Sequence, residues 1–153
     1  MALRKILLAL GAVSATLGAC DDPTLFDCDE VPFSIVGTSG DTVNTASGLR
    51  FIEVSAGSGA EVETCDPVTA QYTGRLASGA VFEEAGAEVV PGSGSRPAGF
   101  EQGLIGMRPG GSRRLIVPPS LGYGSTDRRN AAGEIIVPAG STLFYDVAVI
   151  EIE

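Results

Sequence analysis

Apolar and polar positions alternate along four stretches of this chain, and each alternation predicts a strand. LRFIEVS at 49–55 gives the first, with AGSGAEVE after it as a turn. VTAQYTGRL at 68–76 runs through ASGA into VFEEA, the pattern of a hairpin. SRRLIVPP is a strand stopped by Pro118 and Pro119, which have no N–H to give to a ladder. In STLFYDVAVIEIE, Leu143, Tyr145, Val147, Val149 and Glu151 share one face, and Phe144, Asp146, Ala148, Ile150 and Ile152 share the other, as expected of a central strand. The period changes once, in AGFEQGLIGM. There Phe100, Leu104 and Met107 fall at helical spacing, and Arg108, Pro109 and Gly110 close a short helix.

Between these elements, AEVVPGSGSRP (87–97) and the stretch from Ser120 to Gly133 read as loops because glycine, serine and proline dominate them. From Asp21 to about Ala46 the chain is acidic, rich in Thr and Ser, and without sustained period apart from a short strand at Phe33 to Val36, which predicts a tether. The sum is an α+β domain of about five antiparallel strands wrapped around one short helix.

The N-terminus adds a targeting segment. Arg4 and Lys5 precede an apolar run from Ile6 to about Leu17 and then small residues, the layout of an export signal, too short to span a membrane comfortably. Leu17, Gly18, Ala19 and Cys20 resemble the lipobox of bacterial lipoproteins. That resemblance implies a signal peptide at 1–19 and lipid on Cys20; the acidic stretch then makes 20–45 a tether ahead of a domain at 46–153. The mature protein is then held on the periplasmic side of the cell envelope, touching the membrane through its lipid alone. Cys28 and Cys65 remain, and two leftover cysteines in an exported chain most often pair; two free buried thiols are the alternative.

Charge and missing residue types narrow the chemistry. Without the signal, eight basic residues face nineteen acidic ones, a net charge of −11 that opposes nucleic acid and anionic lipid as partners. Lys5 is the one lysine and there is no histidine. A Ser/His/Asp triad, an imidazole base, a His-containing zinc site and a lysine Schiff base are thereby excluded from the mature chain. Catalysis here must manage with little acid/base equipment, and no metal or organic cofactor is called for.

Four segments in order, SGLRFIEVSAGSG (47–59), QYTGRLASGAVFE (71–83), GFEQGLIGMRPGGSRRLIVPPSLGYG (99–124) and VPAGSTLFYDVAVIEIE (137–153), resemble FKBP-type peptidyl-prolyl cis/trans isomerases. The resemblance implies a five-stranded antiparallel sheet curled around a short helix, with an apolar pocket between them that receives a prolyl side chain. It assigns Tyr72, Phe82, Glu83 and Tyr123 to catalysis, and Phe100, Val137, Tyr145, Arg96 and Pro97 to substrate binding. It also implies proline-containing polypeptides and macrolide inhibitors as ligands. Phe100 falls where many members carry a tryptophan, Glu83 where aspartate is usual, Ala87 where an aromatic is common, and Arg96 and Pro97 where an apolar pair closes the pocket. One wall is therefore expected to be thinner or more polar.

The reaction suits the residues present. Rotating an X-Pro bond needs no nucleophile and no net proton transfer, only relief of a barrier near ~20 kcal/mol set by amide resonance. An apolar floor of Phe82, Phe100 and Val137 favours the less polar twisted amide over the planar one. By family analogy, the Tyr123 hydroxyl and the Val137 backbone N–H hold the flanking carbonyls. A proline-peptide-binding or chaperone-like module with weak turnover is the alternative. Without the resemblance, Tyr72 and Tyr145 read as core aromatics, Glu83 as a surface carboxylate, and Arg113 and Arg114 as charges on a strand surface.

Overall fold

The computed structural model describes Phe33, the backbone of residues 35–39, and residues 41–153. The export signal, Cys20 and Cys28 lie outside the described residues. Among the described residues no helix is long and apolar enough to cross a membrane.

The strands are β1 (Ile35–Ser39), β2 (Thr42–Thr45), β3 (Arg50–Ser55), β4 (Val68–Leu76), β5 (Val81–Val89), β6 (Ser112–Val117), β7 (Arg128–Arg129), β8 (Ile135–Val137) and β9 (Leu143–Ile152), with one α-helix, α1 (Ala98–Leu104). Seven of them form one sheet in the order β1-β2-β3-β6-β9-β4-β5, every neighbouring pair antiparallel. The five expected strands are its last five, and β9 lies between β6 and β4 as its alternation requires. Leu143, Tyr145, Val147 and Val149 of β9 are buried, while Asp146 and Ala148 on the opposite face are only partly covered.

Four expectations need correction. The tether was expected to run to residue 45, but within it β2 pairs with β3 and β1 with β2, which extends the sheet. Nor is Ala87–Val89 the start of a loop: β5 continues to Val89, where Val68 of β4 pairs with it, and Pro91 ends the ladder. Third, α1 stops at Leu104, before Met107. Gly106 takes a left-handed φ of +75°, and Met107 returns to the core beyond it. Finally, the loop after Ser120 carries the short ladder of β7 with β8.

Helix and sheet meet where two glycines share a helix face. A Cβ on Gly99 would stand 2.5 Å from Val117 Cγ1, and one on Gly103 would overlap Leu115, so α1 lies with its backbone directly on β6. A seven-residue helix has little stability of its own, and contacts with neighbouring segments hold it at both ends. At the N-terminal end, buried Glu101 accepts the backbone N–H groups of Gly92 (2.9 Å), Gly94 (3.2 Å) and Arg96 (2.9 Å), fixing the loop that precedes the helix. Arg113 serves the other end, donating to the carbonyls of Gly103 (3.1 Å) and Ile105 (2.7 Å). It also pairs with Glu53 at 2.6 Å and lies 4.3 Å over the Phe51 ring. Arg113 is therefore a buried helix cap, not the surface charge expected. Strand alternation puts it on the face of Leu115 and Val117, and helix C-terminal carbonyls need donors.

Candidate functional site

Four rings from four elements converge beside α1. Phe100 of α1 packs edge-on against Tyr72 of β4 (4.8 Å between centroids) and Tyr145 of β9 (4.9 Å). Tyr145 in turn meets Phe82 of β5 (5.6 Å) and Tyr72 (6.3 Å). Gly74 makes room for this: a Cβ there would stand 2.6 Å from Phe82 Cζ and 2.9 Å from Tyr145 Cε1. Phe100 and Tyr145 are each 1% exposed and Tyr72 4%, so the rings form one apolar floor. Val137, at the end of β8, is fully buried in the same core, and its backbone pairs with Arg128 of β7.

Tyr123 reaches this floor from the loop after β6. Pro118 and Pro119 end the strand, a single 3-10 turn spans Pro119–Leu121, and the N–H groups of Gly122 and Gly124 both return to the Pro119 carbonyl. The half-buried Tyr123 hydroxyl lies near that of Tyr145. The Tyr145 hydroxyl is fully buried and makes no hydrogen bond of acceptable geometry among the described residues. Burial lifts all three phenols, Tyr72, Tyr123 and Tyr145, above the usual tyrosine range. The Glu83 carboxylate adds to the rise at Tyr72, the Arg128 guanidinium opposes it at Tyr123, and the Tyr123 hydroxyl reinforces it at Tyr145. Every one of them is a neutral donor at physiological pH.

A charged bridge borders the rings. Glu83 Oε1 accepts from the Tyr72 hydroxyl (3.2 Å) and from Arg96 Nη1 (2.6 Å), and its Oε2 accepts from Arg128 Nη1 (2.9 Å). The Arg96 guanidinium lies 5.2 Å from the centre of the Tyr72 ring, and that of Arg128 lies 5.4 Å from the centre of Tyr123. The Glu83 carboxylate thus holds three donors at once. Pro97 caps the start of α1, accepting from Phe100 and Glu101, and offers no N–H itself.

All nine residues singled out from the sequence fall in this region. Tyr72, Phe82, Phe100 and Tyr145 touch directly; Glu83 and Arg96 join through the bridge; Tyr123, Val137 and Pro97 stand around them. Sequence reasoning missed Arg128. Its approach to Glu83 closes over 45 residues of chain, and the only hint of it was a basic pair inside the loop of a strongly acidic protein. Among the described residues no group of three His, Cys, Asp or Glu side chains is placed to hold a metal ion.

Known proteins resemble this chain in sequence and fold. Residues 59–150 match the family model described as FKBP-type peptidyl-prolyl cis-trans isomerase. "FK506-binding protein 4" of Chaetomium thermophilum is 40% identical over 115 residues, which cover 72% of this chain and 23% of that protein. The "Probable FKBP-type peptidyl-prolyl cis-trans isomerase" of Haemophilus influenzae is 36% identical over 115 residues, 73% of this chain and 46% of that one. The chain thus spans less than half the length of either relative. The crystal structure of AtFKBP13 superposes with a TM-score of 0.66 at 28% identity, covering 73% of this chain and 98% of that one. The family match runs through β4, β5, α1, β6 and the loop bearing Tyr123, so the elements that build the site are those by which this chain belongs to the FKBP-type peptidyl-prolyl cis-trans isomerase family.

Proposed function

We propose that this protein catalyses cis/trans rotation of X-Pro bonds in exported polypeptides. The observation that carries the reading is the floor of Tyr72, Phe82, Phe100 and Tyr145, with the Tyr123 hydroxyl beside it and the Glu83 carboxylate at its edge already taken up by Tyr72, Arg96 and Arg128. A prolyl ring seated on these rings loses water from its amide, which disfavours the charge-separated planar form relative to the twisted one. Tyr123, a neutral phenol at physiological pH, donates to a flanking carbonyl; the Val137 backbone N–H is the proposed second donor, and Tyr145 lines the ring site. Tyr72 acts through Glu83, whose carboxylate fixes its hydroxyl. No metal or organic cofactor takes part.

The N-terminal pattern supports export and lipid attachment at Cys20, with the domain held at the envelope surface. A Cys28–Cys65 disulfide would tie that tether to the domain next to β4; peptide mapping without reductant tests it, and alkylation of both thiols refutes it.

One observation favours a binding module with weak turnover: charged Arg96, drawn into the bridge with Glu83, and N–H-less Pro97 stand where the family resemblance places an apolar pair. Refolding of a protein limited by prolyl isomerisation separates the two. Acceleration at substoichiometric amounts supports the isomerase, whereas saturable binding without acceleration supports the module.

A further inference from the structure

We propose that Arg96 and Arg128 form an acid-selective subsite at the edge of the aromatic floor, so that peptides with a carboxylate side chain next to the proline are preferred. The inference rests on the proline-site reading above. Its ligand class is an acidic residue flanking the isomerising bond.

Two guanidinium groups share one carboxylate in this bridge, which leaves a surplus of one positive charge. The surplus is accessible. The Arg96 and Arg128 side chains are 27% and 32% exposed against 15% for Glu83, so the cations face outward and the anion inward. Each guanidinium has five N–H donors and gives Glu83 a single Nη1 contact, so donors remain for a second carboxylate. Both cations are also held in place. Arg96 is tied through its backbone N–H to buried Glu101 and lies over Tyr72, and Arg128 sits in the β7–β8 ladder and lies over Tyr123.

Location makes the charge matter for substrate choice. Tyr72 belongs to the proposed prolyl seat and Tyr123 stands beside it, so the residue next to the proline passes within reach of the guanidinium group over each ring. The rest of the protein works against acidic ligands: the whole chain carries −9, with nineteen acidic residues against ten basic. A local cationic edge on such a chain selects where an anionic peptide docks, and the ordered guanidinium pair limits the entropy lost on contact.

The test compares matched peptides differing only in Glu or Gln, placed immediately before the proline in one set and immediately after it in the other. Affinity is measured by titration and turnover by exchange NMR, with the mature chain. In low salt, the Glu peptide of at least one set is expected to bind about three- to five-fold more tightly, the difference shrinking as salt rises. Arg96→Gln and Arg128→Gln should each bring the Glu/Gln ratio toward one, while Arg114→Gln, on the outer face of β6, keeps the wild-type ratio. Equal affinities in both sets, or a Glu preference that survives in both variants, overturn the proposal. The wild-type comparison decides by itself if a variant fails to fold. Turnover of Gln peptides without Glu preference would refute the subsite and leave the isomerase reading intact; Glu-selective binding without turnover would do the reverse.

Discussion

Arg113 and Arg114 are neighbours on β6, yet removing their charges should have very different consequences. Arg113 is 7% exposed and holds the C-terminal end of α1, the helix that carries Phe100. Replacing it with Met keeps much of its apolar stem but leaves the carbonyls of Gly103 and Ile105 without that donor. Two charge-assisted bonds lost to buried carbonyls cost about 1.5 to 2 kcal/mol each. The contact over Phe51 adds about 0.5 to 1 kcal/mol, while the pair with Glu53, a 37% exposed carboxylate, adds little. The expected loss for Arg113→Met is about 4 kcal/mol, a large share of a small domain's stability. Arg114 is 55% exposed and, among the described residues, pairs with Asp146 across the strands, so Arg114→Met should cost about 0.5 kcal/mol. Because the chain has no tryptophan, urea unfolding is best followed by far-UV circular dichroism. With a slope of about 2 kcal/mol/M, the Arg113 variant should unfold about 2 M urea earlier than the wild type. Equal small losses for the two variants would refute the capping role.

Two further outcomes follow from the site. Gly74→Ala should push Phe82 and Tyr145 apart, costing about 1 to 3 kcal/mol in stability, with kcat/KM falling about ten-fold; unchanged turnover in a folded variant would mean these rings do not seat the proline. Because all three site tyrosines have pKa values raised above the unfolded value of about 10, the folded chain keeps protons that the unfolded chain releases. Their contribution to stability is thus complete below about pH 10 and is lost as pH rises through their folded values, so Tm should drop on the alkaline side, while turnover stays flat from about pH 6 to 9. A bell-shaped profile in that range would point to an acid or base that the site lacks.

What the sequence revealed depended on whether neighbouring residues or distant ones carried the signal. The period-two alternation of β9 sorted its residues into the two faces that the structure shows, and the helical spacing of Phe100 and Leu104 grouped two residues of the buried side of α1. Arg113 was misread because a basic residue on a strand ordinarily faces water; only the arrival of α1 over β6 turns its position into a cap. β2 was missed because TVNT carries no apolar alternation, and its pairing depends on β3. The site's apolar residues were legible through family motifs. The bridge was not, since Glu83, Arg96 and Arg128 come together only when β5, the loop before α1 and β7 are packed side by side.

The most direct measurement is exchange NMR on a Leu-Pro peptide with a trace of the mature protein. Uncatalysed interconversion takes about tens of seconds, too slow for cis-to-trans cross-peaks at sub-second mixing. The expected result is that wild-type protein brings those cross-peaks up, and that Tyr123→Phe, folded by circular dichroism, reduces the exchange rate about ten-fold. Absence of cross-peaks with wild-type protein at saturating peptide would contradict isomerisation at this site, and equal exchange by wild type and Tyr123→Phe would contradict the role of the hydroxyl.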